Sequence, residues 1–257
     1  MKIFLIIVGI LILIFVGLII VGNGFNKKNK KQRAEMEKVN PLPKEKQHML
    51  AYGAILALYR LESPRVLQVM ENHEILKDGL SAAWEVNNTE EAVQTLEWLL
   101  SEGHRTKFDE LLLALKAGQS FTEEEVGKSQ ECYESAQEGM MKRLSFTKSD
   151  FDQVNTIAAW DFDHAVNIAR WSYIVGYITE EQAWGYIERA ADAASPIFQS
   201  WNDYFISFAF GRAIAYEGKI IDIIWKGKEL LEEKDSIWNE FNIKRSTAQE
   251  SVTLNKV

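Results

Sequence analysis

The chain has one cysteine, four prolines and four histidines in 257 residues. A lone thiol, Cys132, excludes any disulfide within the chain and suits a reducing compartment. Cys132 reads as an ordinary helix thiol, not a nucleophile. His48, His73, His104 and His164 are scattered, with no H-x-x-x-H or H-E-x-x-H pair. No metal site is therefore expected, and no other cofactor. The chain also lacks a P-loop, a dinucleotide fingerprint and a G-x-S-x-G elbow. No segment alternates with β-branched enrichment, so no substantial sheet is expected.

Basic residues are the next scarcity. The whole chain is at −8. Six of its 29 Lys and Arg are Lys2 and the cluster Lys27, Lys28, Lys30, Lys31 and Arg33; setting these aside leaves 23 against 37 Asp and Glu, or −14. Such a body repels phosphate backbones and argues against nucleic acid. It suits a basic protein partner, or solubility beneath a membrane.

What is abundant is concentrated at the start. Residues 3–22 carry no charge; seventeen are Ile, Leu, Val or Phe and three are Gly. As a helix, this run spans about 30 Å, the hydrocarbon thickness of a bilayer. It is too long for a signal peptide's apolar core, and no small-x-small site follows. The reading is an uncleaved transmembrane anchor, with the bilayer itself as a partner. The basic cluster after it places the N-terminus outside and the remainder in the cytoplasm, at the inner membrane. Gly9 and Gly17 are eight apart, so no G-x-x-x-G marks a dimerising span.

The rest divides into a basic juxtamembrane linker (23–44), a helical domain (45–243) and a polar tail (244–257). Within the domain, Met49, Tyr52, Ile55, Leu56 and Tyr59 predict a helix over 45–61. Pro64 opens a segment reaching, with a break, towards Val86. Asn88 with Glu91 opens a helix ending near Gly103, and 106–117 forms another, stopped by Gly118. Thr122 with its acidic first turn opens a helix running to Leu144. Residues 158–174 form a strong helix ended by Gly176. Thr179 with Gln182 opens a helix to Ala194, where Ser195-Pro196 breaks or kinks the chain. Ser200 caps 201–216, and 219–243 is the last amphipathic helix. The fold class is all-α: a compact multi-helix domain behind one N-terminal transmembrane helix.

The second half concentrates aromatic and charged groups. Asp163, Asn167 and Arg170 share one face of the 158–174 helix, and Trp160, His164, Asn167 and Trp171 line the adjoining strip. Arg212 lies in the otherwise apolar run 205–215 and needs a partner if buried; Asp161 or Asp163 is the natural one. Two readings fit. The polar groups lock helices together around a tryptophan core, or they form an anion-holding pocket with aromatic walls. The candidate pocket residues are Trp160, Asp161, Asn167, Arg170, Trp171, Trp184, Trp201 and Arg212.

The runs Ala159-Trp160-Asp161-Phe162, Asn167-Ile168-Ala169-Arg170-Trp171, Gly176-Tyr177-Ile178, Glu181-Gln182-Ala183-Trp184, Ser200-Trp201 and Gly211-Arg212 resemble, in order, the bacterial domain of unknown function 1266 (DUF1266). The resemblance covers about 80–216 and is densest from 159 on. It implies a bacterial origin and a helical fold, and supplies no activity. Asp163-His164 stands where that pattern has Gly-Arg, and Gln182 where it has Glu. The expected function is a membrane-anchored, non-catalytic interaction or ligand-binding module, regulatory or immunity-type, meeting another protein or a small anionic ligand. The alternative is an enzyme acting on a small anionic substrate through Asp161, Arg170 and Arg212.

Overall fold

The computed structural model describes residues 27–245. The expected anchor, 3–22, lies outside the described residues, as does most of the tail, 246–257. Among the described residues no helix is long and apolar enough to cross a membrane, and none forms a strand.

The chain divides into two units, Met1–Pro41 and Leu42–Val257. In the first, the basic linker is helical: α1 covers 27–39. The second is the helical domain. It runs α2 (Lys44–Leu50), a 3-10 turn (Ala51–Gly53), α3 (Ala54–Tyr59), α4 (His73–Trp84), α5 (Thr89–Ser101) and α6 (Arg105–Lys116). There follow α7 (Glu123–Val126), α8 (Ser129–Leu144), α9 (Lys148–Asp152) and α10 (Ala158–Ile174). The chain then forms α11 (Glu180–Ile197), α12 (Trp201–Ile214), α13 (Ile221–Glu232) and α14 (Ile237–Glu240).

Helix α10 is the axis. Every residue from Ala158 to Ser172 is buried, and α5, α11, α12, α3 and the 3-10 turn all pack on it. A helix enclosed on all sides is normally apolar all round. This one buries Asp161, Asp163, His164, Asn167 and Arg170, so each of them must find a partner in the surrounding elements.

Local capping signals set several helix starts as expected. Thr179 accepts from the Gln182 N–H, Ser200 from Asp203, and Asn88 from Glu91. Four other elements differ from expectation, two of them through long-range contacts. The helix expected over 45–61 is interrupted because Gly53 presses on Val166 and Asn167, leaving no room for a β-carbon. There the N–H groups of Ile55 and Leu56 turn to the Asp163 carboxylate. Residues 61–72 stay irregular because Arg170 takes the carbonyls of Ser63, Leu67 and Gln68. The expected helix over 122–144 divides at Gly127, whose φ of 57° is left-handed. The expected 219–243 helix is α13 and α14, with Ser236 capping the second.

Pro196 does not break its helix. It lies in the last turn of α11, where only one intrahelical bond is lost. Lys244 donates to the carbonyls of Ser195 and Pro196 there.

Candidate functional site

The acidic and basic groups of α10 separate into two systems. The first is a buried lock. Asp163 accepts from the Ile55 and Leu56 N–H groups at 3.1 and 3.2 Å, which caps α3 from outside. Asn167 donates to the Gly53 carbonyl and to Asp163 Oδ1, and accepts from Arg170 Nη1 at 3.0 Å. Arg170 completes its fork on the 63–68 carbonyls and lies 3.5 Å from the Glu62 carboxylate. Trp171 Nε1 donates to Glu62 at 3.2 Å. Burial pushes the Asp163 and Glu62 carboxyls up, against the opposing pull of their N–H donors and Arg170. Arg170 is 1% exposed and each of its three nitrogens is hydrogen-bonded. Asn167 and Arg170 thus tie α10 to the segment before it and face no open space.

Asp161 holds a different joint. Its carboxylate is fully buried and accepts the His104 and Arg105 N–H groups at 2.9 and 3.0 Å. It also accepts from His104 Nδ1 at 2.8 Å and Arg105 Nη1 at 3.1 Å. Gly103, at φ 66°, lies so close to Asp161 that no side chain fits there. Asp161 therefore anchors the start of α6 and one imidazole.

The second system is a cavity of about 230 Å³ between α3, α4, α10 and α12. Trp160, His164 and Trp171 come from one strip of α10; Leu56, Tyr59 and Arg60 come from α3 and its end. Helix α4 gives Leu76, Gly79, Leu80, Ala83 and Trp84; His104, Arg212 and Tyr216 complete the wall.

Arg212 is the unusual member. The expected pairing with Asp161 or Asp163 does not occur, because both carboxylates are filled by the backbone N–H groups they cap. No carboxylate among the described residues lies within ion-pair distance of Arg212. Its guanidinium carbon instead lies 4.5, 5.6 and 6.0 Å from the ring centres of Tyr216, Tyr59 and Trp160. Arg60 lies 4.9 Å over Trp171, with Glu62 at 3.8 Å. Aromatic faces hold a guanidinium without neutralising it. Three buried donors on the wall, Arg60 Nε, Arg212 Nε and Trp160 Nε1, have no hydrogen-bond partner. Buried polar atoms are normally paired, so three unbonded nitrogens on residues of one wall are exceptional.

His164 is packed 4.1 Å from the Trp160 ring and 5.1 Å from Trp84. Burial pulls it down to about 4, so the ring is neutral near neutral pH. The two remaining candidates sit elsewhere. Trp184 donates to Glu180 under Lys46. Trp201 stacks on Trp238 at 4.9 Å and donates to the Phe241 carbonyl. Of the eight candidates, the cavity gathers Trp160, Trp171 and Arg212. Reading the residues alone missed Tyr59, Arg60, Trp84, His104 and Tyr216 as wall members; only His164 had a signal, its place four residues after Trp160.

Among the described residues no group of three His, Cys, Asp or Glu is placed to hold a metal ion. The family described as Protein of unknown function (DUF1266) matches residues 79–243, well over half of the chain. The chain belongs to that family. No curated protein and no solved structure matches it. The DUF1266 region contains Trp84, His104, Trp160, His164, Arg212 and Tyr216, whereas Leu56, Tyr59, Arg60 and Leu76 lie before it. One wall of the cavity is therefore supplied by sequence preceding the DUF1266 match.

Proposed function

We propose that this DUF1266 domain is a binding module for a small anionic ligand with a flat apolar body. The observation that carries the reading is Arg212, a guanidinium held by three aromatic rings with no counter-charge, on a cavity wall. Its Nε is buried and makes no hydrogen bond. A carboxylate, sulfonate or phosphate brings the missing charge to this guanidinium. The indoles of Trp84, Trp160 and Trp171 offer faces for a ring. About 230 Å³ suits one or two rings and excludes a large cofactor.

The uncharged run 3–22 fits this reading as a tether, holding the domain on the cytoplasmic side of a membrane, where an anionic metabolite or a partner protein is met. A reporter active only in the cytoplasm, fused after Val257, works under this topology; activity of a periplasmic reporter alone contradicts it.

Ligand binding is tested by tryptophan fluorescence of the chain titrated with benzoate, indole-3-acetate and phenyl phosphate. Saturable quenching is expected, and its loss in Gly79→Phe, since Gly79 lines the cavity and a β-carbon there meets nothing within 4 Å. No saturable quenching by any of the three contradicts the proposal.

A further inference from the structure

Apart from the arginines, the cavity wall carries a second polar device. His104 Nδ1 lies 2.8 Å from Asp161 Oδ1, and Asp161 is wholly buried. That carboxylate accepts four hydrogen bonds, two of them from the backbone of His104 and Arg105, so it is an acceptor fixed in place. A neutral imidazole carries one proton. In that neutral form, facing an acceptor, Nδ1 keeps the proton and Nε2 is left as a lone pair. The imidazole is enclosed by Trp84, Trp98 and Trp160, with ring centres 6.1, 4.9 and 6.4 Å away. It is one-quarter exposed and lines the cavity. Nε2 has no hydrogen-bond partner among the described residues. The two arginines thus offer donors only, and the His104 imidazole in its neutral form offers an acceptor.

We propose that His104 is a specificity-determining acceptor: the ligand is a small anion whose ring also carries a hydroxyl or N–H group, donated to Nε2 while the anionic end meets Arg212. This inference rests on the anion-binding reading above and narrows its ligand class to hydroxylated or N–H-bearing aromatic acids. Asp161 is here a positioning residue, acting through the imidazole it orients.

The test uses the chain labelled with 15N histidine, and probes that differ in one group. The ring nitrogens of His104 are expected to show Nδ1 protonated and Nε2 bare. The probes are benzoate, 3- and 4-hydroxybenzoate, and the two matching methoxybenzoates, which keep the oxygen but cannot donate. At least one hydroxybenzoate is expected to bind about three- to tenfold more tightly than benzoate and its methoxy counterpart, the range one net hydrogen bond gives. On binding, the His104 Nε2 resonance shifts. In His104→Phe, which keeps a ring among the three indoles, that advantage disappears: the hydroxybenzoate and benzoate bind that variant alike. A protonated Nε2 in the free neutral imidazole, no hydroxyl advantage, or an advantage that survives His104→Phe overturns this inference alone. Failure of every probe to bind overturns the anion-binding reading and this inference with it.

Discussion

The backbone of Gly211 on α12 lies against Trp160 on α10, so closely that a β-carbon at 211 overlaps the Trp160 side chain. This contact brings the next residue, Arg212, to the wall that Trp160 lines. Gly211→Ala is expected to destabilise the fold by about 1–3 kcal/mol, because neither helix can move without disturbing the core. For a domain of this size that lowers the melting temperature by roughly 2–4 °C per kcal/mol. Chemical denaturation measures it; an unchanged midpoint means that the close approach is not real.

Arg170 is expected to matter for folding and not for the ligand. Replacing it with Met leaves Glu62, 2% exposed, without the nearer of its two arginines, and three carbonyls without a donor. Losses of about 3–5 kcal/mol follow from breaking a buried pair on one side. Arg170→Lys is expected to recover little, since an ammonium cannot fork across Ser63, Gln68 and Asn167. A stable Arg170→Met chain with altered ligand binding would reverse this assignment.

Asp161→Asn puts an amide NH2 where two donors already point. A cost of about 1–3 kcal/mol is expected, with the amides of His104 and Arg105 exchanging hydrogen faster than in the parent. Exchange that changes elsewhere and not at the start of α6 speaks against the anchoring role.

His164 makes stability depend on pH. Its folded value, about 4, is below the ordinary value of 6.5. The unfolded chain therefore binds the proton more readily. The contribution is complete above pH 6.5 and is lost as the pH falls towards 4. It amounts to roughly 2–3 kcal/mol at the acid end. Asp163 and Glu62, whose values are raised, act in the opposite sense and gain protons more easily when folded. The difference between the parent and His164→Phe isolates the histidine. The parent is expected to lose more stability than the variant between pH 7 and 4.5; parallel curves contradict the account.

Much of the fold is legible from local chemistry. Thr179 and Ser200 cap their helices because each partner lies three residues on. Asp163, Asn167 and Arg170 do share a face and join hand to hand, as their spacing requires. The interruption at Gly53 and the irregular 61–72 stretch are not legible, because their causes lie on α10 more than one hundred residues away. Arg212 was misread for a physical reason. A guanidinium in an apolar run calls for a carboxylate, but both nearby carboxylates serve as helix caps and aromatic faces take their place. The adjacent Asp163 and His164 divide their work: one residue caps α3, the other lines the cavity.

The central claim is that Arg212 presents an uncompensated charge to a cavity ligand. Calorimetric titration of phenyl phosphate into the parent chain and into Arg212→Gln tests it most directly. The account predicts a single saturable site in the parent, weakened about tenfold or more in the variant, the loss expected for one charge-assisted hydrogen bond, with the fold intact by circular dichroism. Equal affinity for the two chains would contradict it.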